Sequence, residues 1–183
     1  YLRVQFEGFR RRLRILCLSA ISDSVTMWSH YASEHRGVVL AFNSRDLENG
    51  LKRPVSPLHY EDSPPAMIDA EAWYRASIFG TPAPNWCVNP MSWALTKGTE
   101  WRSEKEWRIA TVADRGVLGD YDDFAVPRQS LQSIIMGCRA DQKSFRELYS
   151  LALAWNHGVK LQEAIMPVDS FRMQIGDRDP ASL

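Results

Sequence analysis

Glu100-Trp101-Arg102-Ser103-Glu104-Lys105-Glu106-Trp107-Arg108-Ile109-Ala110-Thr111-Val112 is the stretch on which the fold turns. Residues 104–112 read as a strand, because polar and apolar side chains alternate and then give way to Ile109, Thr111 and Val112. Alternation puts Glu104, Glu106 and Arg108 on one face and Lys105, Trp107 and Ile109 on the other. Same-face neighbours on a strand lie about 6.5–7 Å apart. Two carboxylates at that spacing can divide the work, one orienting a ligand and one acting as base or stabilising a developing charge. The same groups can instead pair among themselves, Glu106 with Arg108 and Glu104 with Arg102, as a structural charge ladder.

On the N-terminal side, residues 14–19 read as a buried strand. Ser22 or Asp23 caps a helix over residues 24–35, with Met27, Trp28, Tyr31, Ala32 and His35 on one face. Gly37 ends it. Residues 38–42 are too apolar throughout for a half-exposed strand, which predicts a central one. A third strand covers 56–60 and is broken by Pro64-Pro65. A helix follows over 66–79 with Gly80 as its stop, then a loop over 81–89. Asn89-Pro90 opens another helix, which ends near Lys97-Gly98. Beyond the central stretch, strands are predicted at 124–126, 133–136, 160–164 and 171–175, and a helix capped by Asp141 runs to about residue 155. The pattern predicts an α+β fold: a single mixed, mainly antiparallel sheet with flanking helices, forming one domain over residues 1–183.

Composition narrows the function classes. Hydrophobic residues make up 45% and charged residues 24%, the balance of a soluble globular protein. The formal net charge is zero, which argues against a general polyanion binder. Arg10, Arg11, Arg12 and Arg14 form the one basic cluster, read as a solvated edge or as a phosphate contact. Seven tryptophans are spread along the chain. They read mostly as core, with stacking on a base or a nicotinamide ring as the alternative. Cys17, Cys87 and Cys138 are odd in number and form no CxxC pair; Cys17 and Cys138 read as buried thiols, which favours a reducing, cytoplasmic setting. No apolar run reaches the length of a membrane span, and no signal peptide is visible. The chain opens at Tyr1 rather than Met, as it would if an upstream part were missing.

His30 and Glu34 lie four apart on the predicted helix, so the carboxylate can raise the basicity of the imidazole or simply form a surface pair. His35 falls beside Trp28 and Tyr31, where a histidine with one satisfied nitrogen is the ordinary outcome and orienting a substrate is the sharper one. No metal motif, P-loop or Rossmann glycine fingerprint occurs. Sequence order leaves a Ser-His-Asp arrangement open, but there is no Gly-x-Ser-x-Gly elbow.

Several motifs now combine. Cys17-Leu18-Ser19, Met27-Trp28-Ser29-His30-Tyr31-Ala32, His35-x-Gly37 with the apolar strand to Phe42, Glu104-Lys105-Glu106-Trp107-Arg108 and Ile134-Ile135-Met136-Gly137-Cys138 together resemble a bacterial domain-of-unknown-function family, number 2971. The resemblance spans roughly residues 14–175. Family members open with a Tyr-x-Tyr-Arg-type strand and an Asn-Asp-Pro motif that this sequence lacks. The family name carries no reaction, so the resemblance implies kinship of fold.

Glu104-x-Glu106 is also similar to the acidic motif of ADP-ribosyltransferases. That likeness implies NAD as a substrate. Glu106 would hold a ribose hydroxyl and stabilise an oxocarbenium-like centre, and Glu104 would help activate the acceptor. The Ser-Thr-Ser strand of that family is missing, and its N-terminal Arg or His strand is not identifiable. The candidate catalytic residues are thus Glu104, Glu106 and His30. The candidate substrate-binding residues are Tyr31, Trp28, Ser19 and Arg108, with the His30 helix expected to meet the Glu104–Arg108 strand. Three functions fit: a nucleotide- or NAD-processing enzyme, a non-catalytic binding or sensor module, and a nucleic-acid-processing domain that uses Arg10 to Arg14. No cofactor is assigned, and NAD enters as a candidate substrate. A small nucleotide is the candidate partner, nucleic acid is disfavoured, no membrane partner is expected, and no protein partner is assigned.

Overall fold

The structure is a computed structural model that describes residues 8–66, 70–80, 90–114 and 121–182. In chain order its elements are β1 (Leu13–Ser19), α1 (Val25–Tyr31), β2 (Val38–Phe42), α2 (Ser44–Leu51), β3 (Ser56–Pro57), β4 (His59–Glu61), α3 (Ala70–Phe79), α4 (Pro90–Ala94), β5 (Thr96–Gly98), β6 (Glu106–Val112), β7 (Leu131–Met136), α5 (Gln142–Trp155), β8 (Lys160–Ile165) and β9 (Gln174–Asp177). They fall into two compact units, residues 1–19 with 54–123 and residues 20–53 with 124–183.

In the first unit β6 is the middle of a three-stranded antiparallel sheet ordered β1-β6-β3, with β1 in register from Leu13↔Val112 to Ser19↔Glu106. Strands β4 and β5 form a separate two-stranded parallel sheet. The chain changes sheet at Leu58, whose N–H bonds the Glu106 carbonyl at 3.1 Å while the next N–H, of His59, bonds the Leu95 carbonyl at 2.9 Å. The strand predicted over 56–60 is thereby split in two. Residues Thr99–Glu104 form a 3-10 helix, and Lys105 follows in the left-handed region at φ 44°. Glu104 is therefore the end of a helical turn and not the first residue of the strand.

The second unit holds a four-stranded sheet ordered β2-β7-β8-β9, parallel between β7 and β8 and antiparallel elsewhere. Both faces of β7 are covered. Ile134 and Met136 meet Phe145, Tyr149 and Ala152 of α5, while Ile135 meets Trp28, Ala32, Ala164 and Met173. Ser24, Asn43 and Asp141 each accept a backbone N–H from the first turn of a helix; Asp141 caps α5 as expected, Ser24 caps α1 in place of Ser22 or Asp23, and α2 is a helix the sequence reading did not include. Helix α1 stops at Tyr31, and Ser33, Glu34 and His35 then take three consecutive left-handed conformations, with φ of 48°, 53° and 68°. Gly137 is required here, because a Cβ would run into the His35 carbonyl oxygen and come within 2.8 Å of that of Gly37.

The α+β class holds, with three sheets rather than one among the described residues. Strand β1 is not buried: Ile15 and Leu16 are 39% and 45% exposed. Strand β2 lies at a sheet edge, and β7 takes the central place expected for it. Cys17 and Cys138 are exposed, because β1 is an edge strand and Cys138 sits in the turn after β7. Residues 124–126 are irregular. The loop predicted over 81–89, with Trp86, Cys87 and the Asn89 cap, lies outside the described residues. Among the described residues no helix is long and apolar enough to cross a membrane.

Candidate functional site

The 3-10 turn after β5 brings Glu104 back over Lys97, and the left-handed Lys105 reverses the chain so that Glu106 faces the same ammonium group. Lys97 Nζ donates to Glu104 Oε2 and, at 2.8 Å, to Glu106 Oε2. Arg108, two residues along the same face of β6, donates from Nε to Glu106 Oε1 at 2.7 Å and from Nη1 to the Ala94 carbonyl at 2.6 Å. Both oxygens of Glu106 are thus held by cations. The backbone is pinned as well. The Glu106 N–H donates to the Tyr60 hydroxyl at 2.8 Å, and Ser19 Oγ donates to the Glu104 carbonyl at 2.7 Å. Lys97 also sits 4.9 Å from the ring centre of Trp101, in cation–π range.

Burial would push the Glu106 carboxyl up, yet hydrogen bonds from Arg108, Lys97 and the Cys17 thiol overcome it and bring it down to about 2. Its exposure is only 5%. A carboxylate held so low stays ionised at neutral pH, which suits charge stabilisation and defeats general-base catalysis. Cys17 lies opposite Arg108 in the sheet register. The side chain is exposed in part, but the partial burial of its thiol against the sheet raises the pKa, and the hydrogen bond to Glu106 raises it further against the pull of Arg108. In Glu106→Gln the pull of Arg108 is left unopposed, so more of Cys17 is thiolate and its alkylation by iodoacetamide at pH 8 should speed up about ten-fold. An unchanged rate, followed by peptide mass spectrometry, contradicts the hydrogen bond.

Lys97 and Arg108 form part of the wall of a cleft of about 400 Å³. Glu61, Asp62 and Glu100 line it too, with Ile15, Pro64 and Trp93 as apolar surface. Asp62 accepts from Thr99 Oγ1 at 2.6 Å. Glu61 and Glu100 make no ion pair among the described residues. Glu104 and Glu106 lie behind the two cations and do not line the cleft.

The other predicted residues lie in the second unit. His30 is exposed, and its ring meets the edge of Tyr31 at 6.2 Å between centroids. Tyr31 is 63% exposed, whereas Trp28 is 2% exposed and donates its indole N–H to the Ser22 carbonyl at 2.7 Å. Glu34 lies beyond the end of α1, so it shares no helical turn with His30 and instead accepts from Arg36 at 2.7 Å. His35 is buried, with Nε2 3.0 Å from Ser29 Oγ.

Glu104, Glu106, Arg108 and Ser19 do come together, as residues of the first unit. Sequence reasoning missed Lys97, Tyr60 and the contact of Cys17 with Glu106. Only the crowding of carboxylates in residues 100–106 hinted that a further cation was needed. Among the described residues no group of three or more His, Cys, Asp or Glu could hold a metal ion.

No curated protein and no solved structure matches this chain. Residues 27–109 match the model of the family described as Protein of unknown function (DUF2971), so the family resemblance holds over that segment, which carries both the Met27–Ala32 motif and the Glu104–Arg108 motif.

Proposed function

We propose that the first unit is a binding module whose cleft takes a small ligand with a positively charged group. The observation that carries this reading is that Glu106 spends both oxygens on Lys97 and Arg108. With Glu104 added, the two cations on the cleft wall are already neutralised from behind. Glu61, Asp62 and Glu100 then leave the cleft net negative, and the indole of Trp93, 39% exposed, offers a face for a cation. The Glu104–Lys97–Glu106–Arg108 network acts as a rigid wall that sets the shape of the cleft.

Calorimetric titration of the purified chain with spermidine, arginine amide and AMP tests this. The two cationic probes should bind, AMP should not, and affinity should fall with salt. Glu61→Gln, Glu100→Gln and Trp93→Ala should each weaken binding about 2–5-fold, the worth of one exposed charge pair or cation–π contact. Absence of cation binding, or variants that bind like wild type, would sink the proposal.

A transferase acting on NAD is the second reading, supported by the ionised state of Glu106 and by the positive charge of the nicotinamide ring. Nicotinamide release from NAD that disappears in Glu106→Gln would favour it over the binding module.

A further inference from the structure

In the second unit the fold spends conformational energy to put one imidazole against one hydroxyl. Ser29 is exposed on α1, and its Oγ lies 3.0 Å from Nε2 of His35. His35 is 9% exposed, and its Nδ1 is buried with no hydrogen-bond partner. Whichever tautomer is present, one ring nitrogen goes unsatisfied, and such an orphan costs about 1–3 kcal/mol. The ring is placed by three consecutive left-handed residues, Ser33, Glu34 and His35, each a non-glycine conformation that costs about 1–3 kcal/mol. The surrounding backbone holds that loop in place. The Arg139 N–H donates to the His35 carbonyl at 3.0 Å, and the Gly137 N–H donates to the Gly37 carbonyl at 3.0 Å. Gly137 carries no side chain where one would collide with the His35 carbonyl. Strain and an unsatisfied buried nitrogen at one position, with surroundings that over-determine it, are features that cluster at functional sites.

We propose that Ser29 and His35 form a nucleophile–base dyad that accepts an acyl group from an activated ester or thioester. Ser29 Oγ attacks the acyl carbon, and its proton passes to His35 Nε2. The C–O or C–S bond to the leaving group breaks, and the proton goes on to the departing oxygen or sulfur. The acyl group stays on Ser29 as an ester until water, deprotonated by the same Nε2, hydrolyses it. The hydroxyl sits at the surface, so the acyl donor reaches it directly from solvent. The buried Nδ1, with no carboxylate to hold it, makes this a dyad and predicts a slow nucleophile in comparison with a full triad.

The test is covalent labelling of the whole chain by a fluorophosphonate probe, with the modified residue mapped by mass spectrometry. Ser29 should label at least ten-fold faster than Ser33, an exposed serine four residues away. Ser29→Ala should remove the adduct, and His35→Gln should slow it at least ten-fold. If His35→Gln does not fold, as judged by circular dichroism, Ser29→Cys decides. The thiol it introduces should react with iodoacetamide at least ten-fold faster than the exposed Cys138, because Nε2 takes its proton. Labelling of Ser29 no faster than Ser33, or an introduced thiol no faster than Cys138, overturns the proposal. None of these readouts depends on ligand binding in the first unit.

Discussion

Lys97→Met should destabilise the protein by about 3 kcal/mol at pH 7. The substitution keeps the stem of the side chain and removes the ammonium group that pairs with both Glu104 and Glu106. Two carboxylates of 6% and 5% exposure then face each other, and stranding one side of a buried ion pair is among the costliest single changes. We place the loss at the low end of that class because Lys97 itself is 20% exposed. The effect has a pH signature. Glu106 ionises near 2 in the folded wild type against an ordinary 4.5, so its contribution is complete above about 4.5 and is lost as the pH falls towards 2. The deficit of the variant should therefore be greatest at neutral pH and shrink steadily in acid. Urea midpoints of both proteins at pH 7 and pH 3 measure it. A deficit below about 1 kcal/mol, or one that ignores pH, contradicts the clamp.

Gly137→Ala should be as damaging, for a reason without charge. The added methyl meets backbone oxygens of His35 and Gly37, and neither can swing away as a flexible side chain would. The loop or β7 must shift, at about 3 kcal/mol for a core overpacked against backbone. Gly176→Ala is the control. Its Cβ would rest 3.7 Å from Ile165 Cδ1, ordinary contact, so it should change stability by less than about 1 kcal/mol. Equal melting temperatures for the two variants would show that the loop is not fixed as described.

What the sequence made legible was local. Asp141 capping α5 and the positive φ of Gly80 follow from side-chain and backbone preferences that act over a few residues. Edge and centre were not legible. Val38–Phe42 is apolar throughout and Leu131–Met136 carries Gln132 and Ser133, yet the order of pairing puts the second inside the sheet and the first at its edge. The charged stretch was half legible. From Glu106 onward the strand holds, but burial alternates only over Ile109 and Thr111, while Glu106 is buried on the opposite face. Glu104 breaks it because Lys97, seven residues earlier, draws it into a turn through a contact that no periodicity encodes. The same limit hid Tyr60, whose hydroxyl reaches the Glu106 N–H from 46 residues away.

The two units interleave along the chain, and this sets an order of events during synthesis. The first is complete once residue 123 has been made, whereas the second, begun at residue 20, waits for residues up to 183. At about 5–20 residues per second the remaining 60 residues take roughly 3–12 s. Over the first part of that interval β2 has no β7 to pair with, and β8 and β9 come later still. The nascent second unit is therefore the part that stays incomplete longest on the ribosome, with β2 open to aggregation until β7 is made.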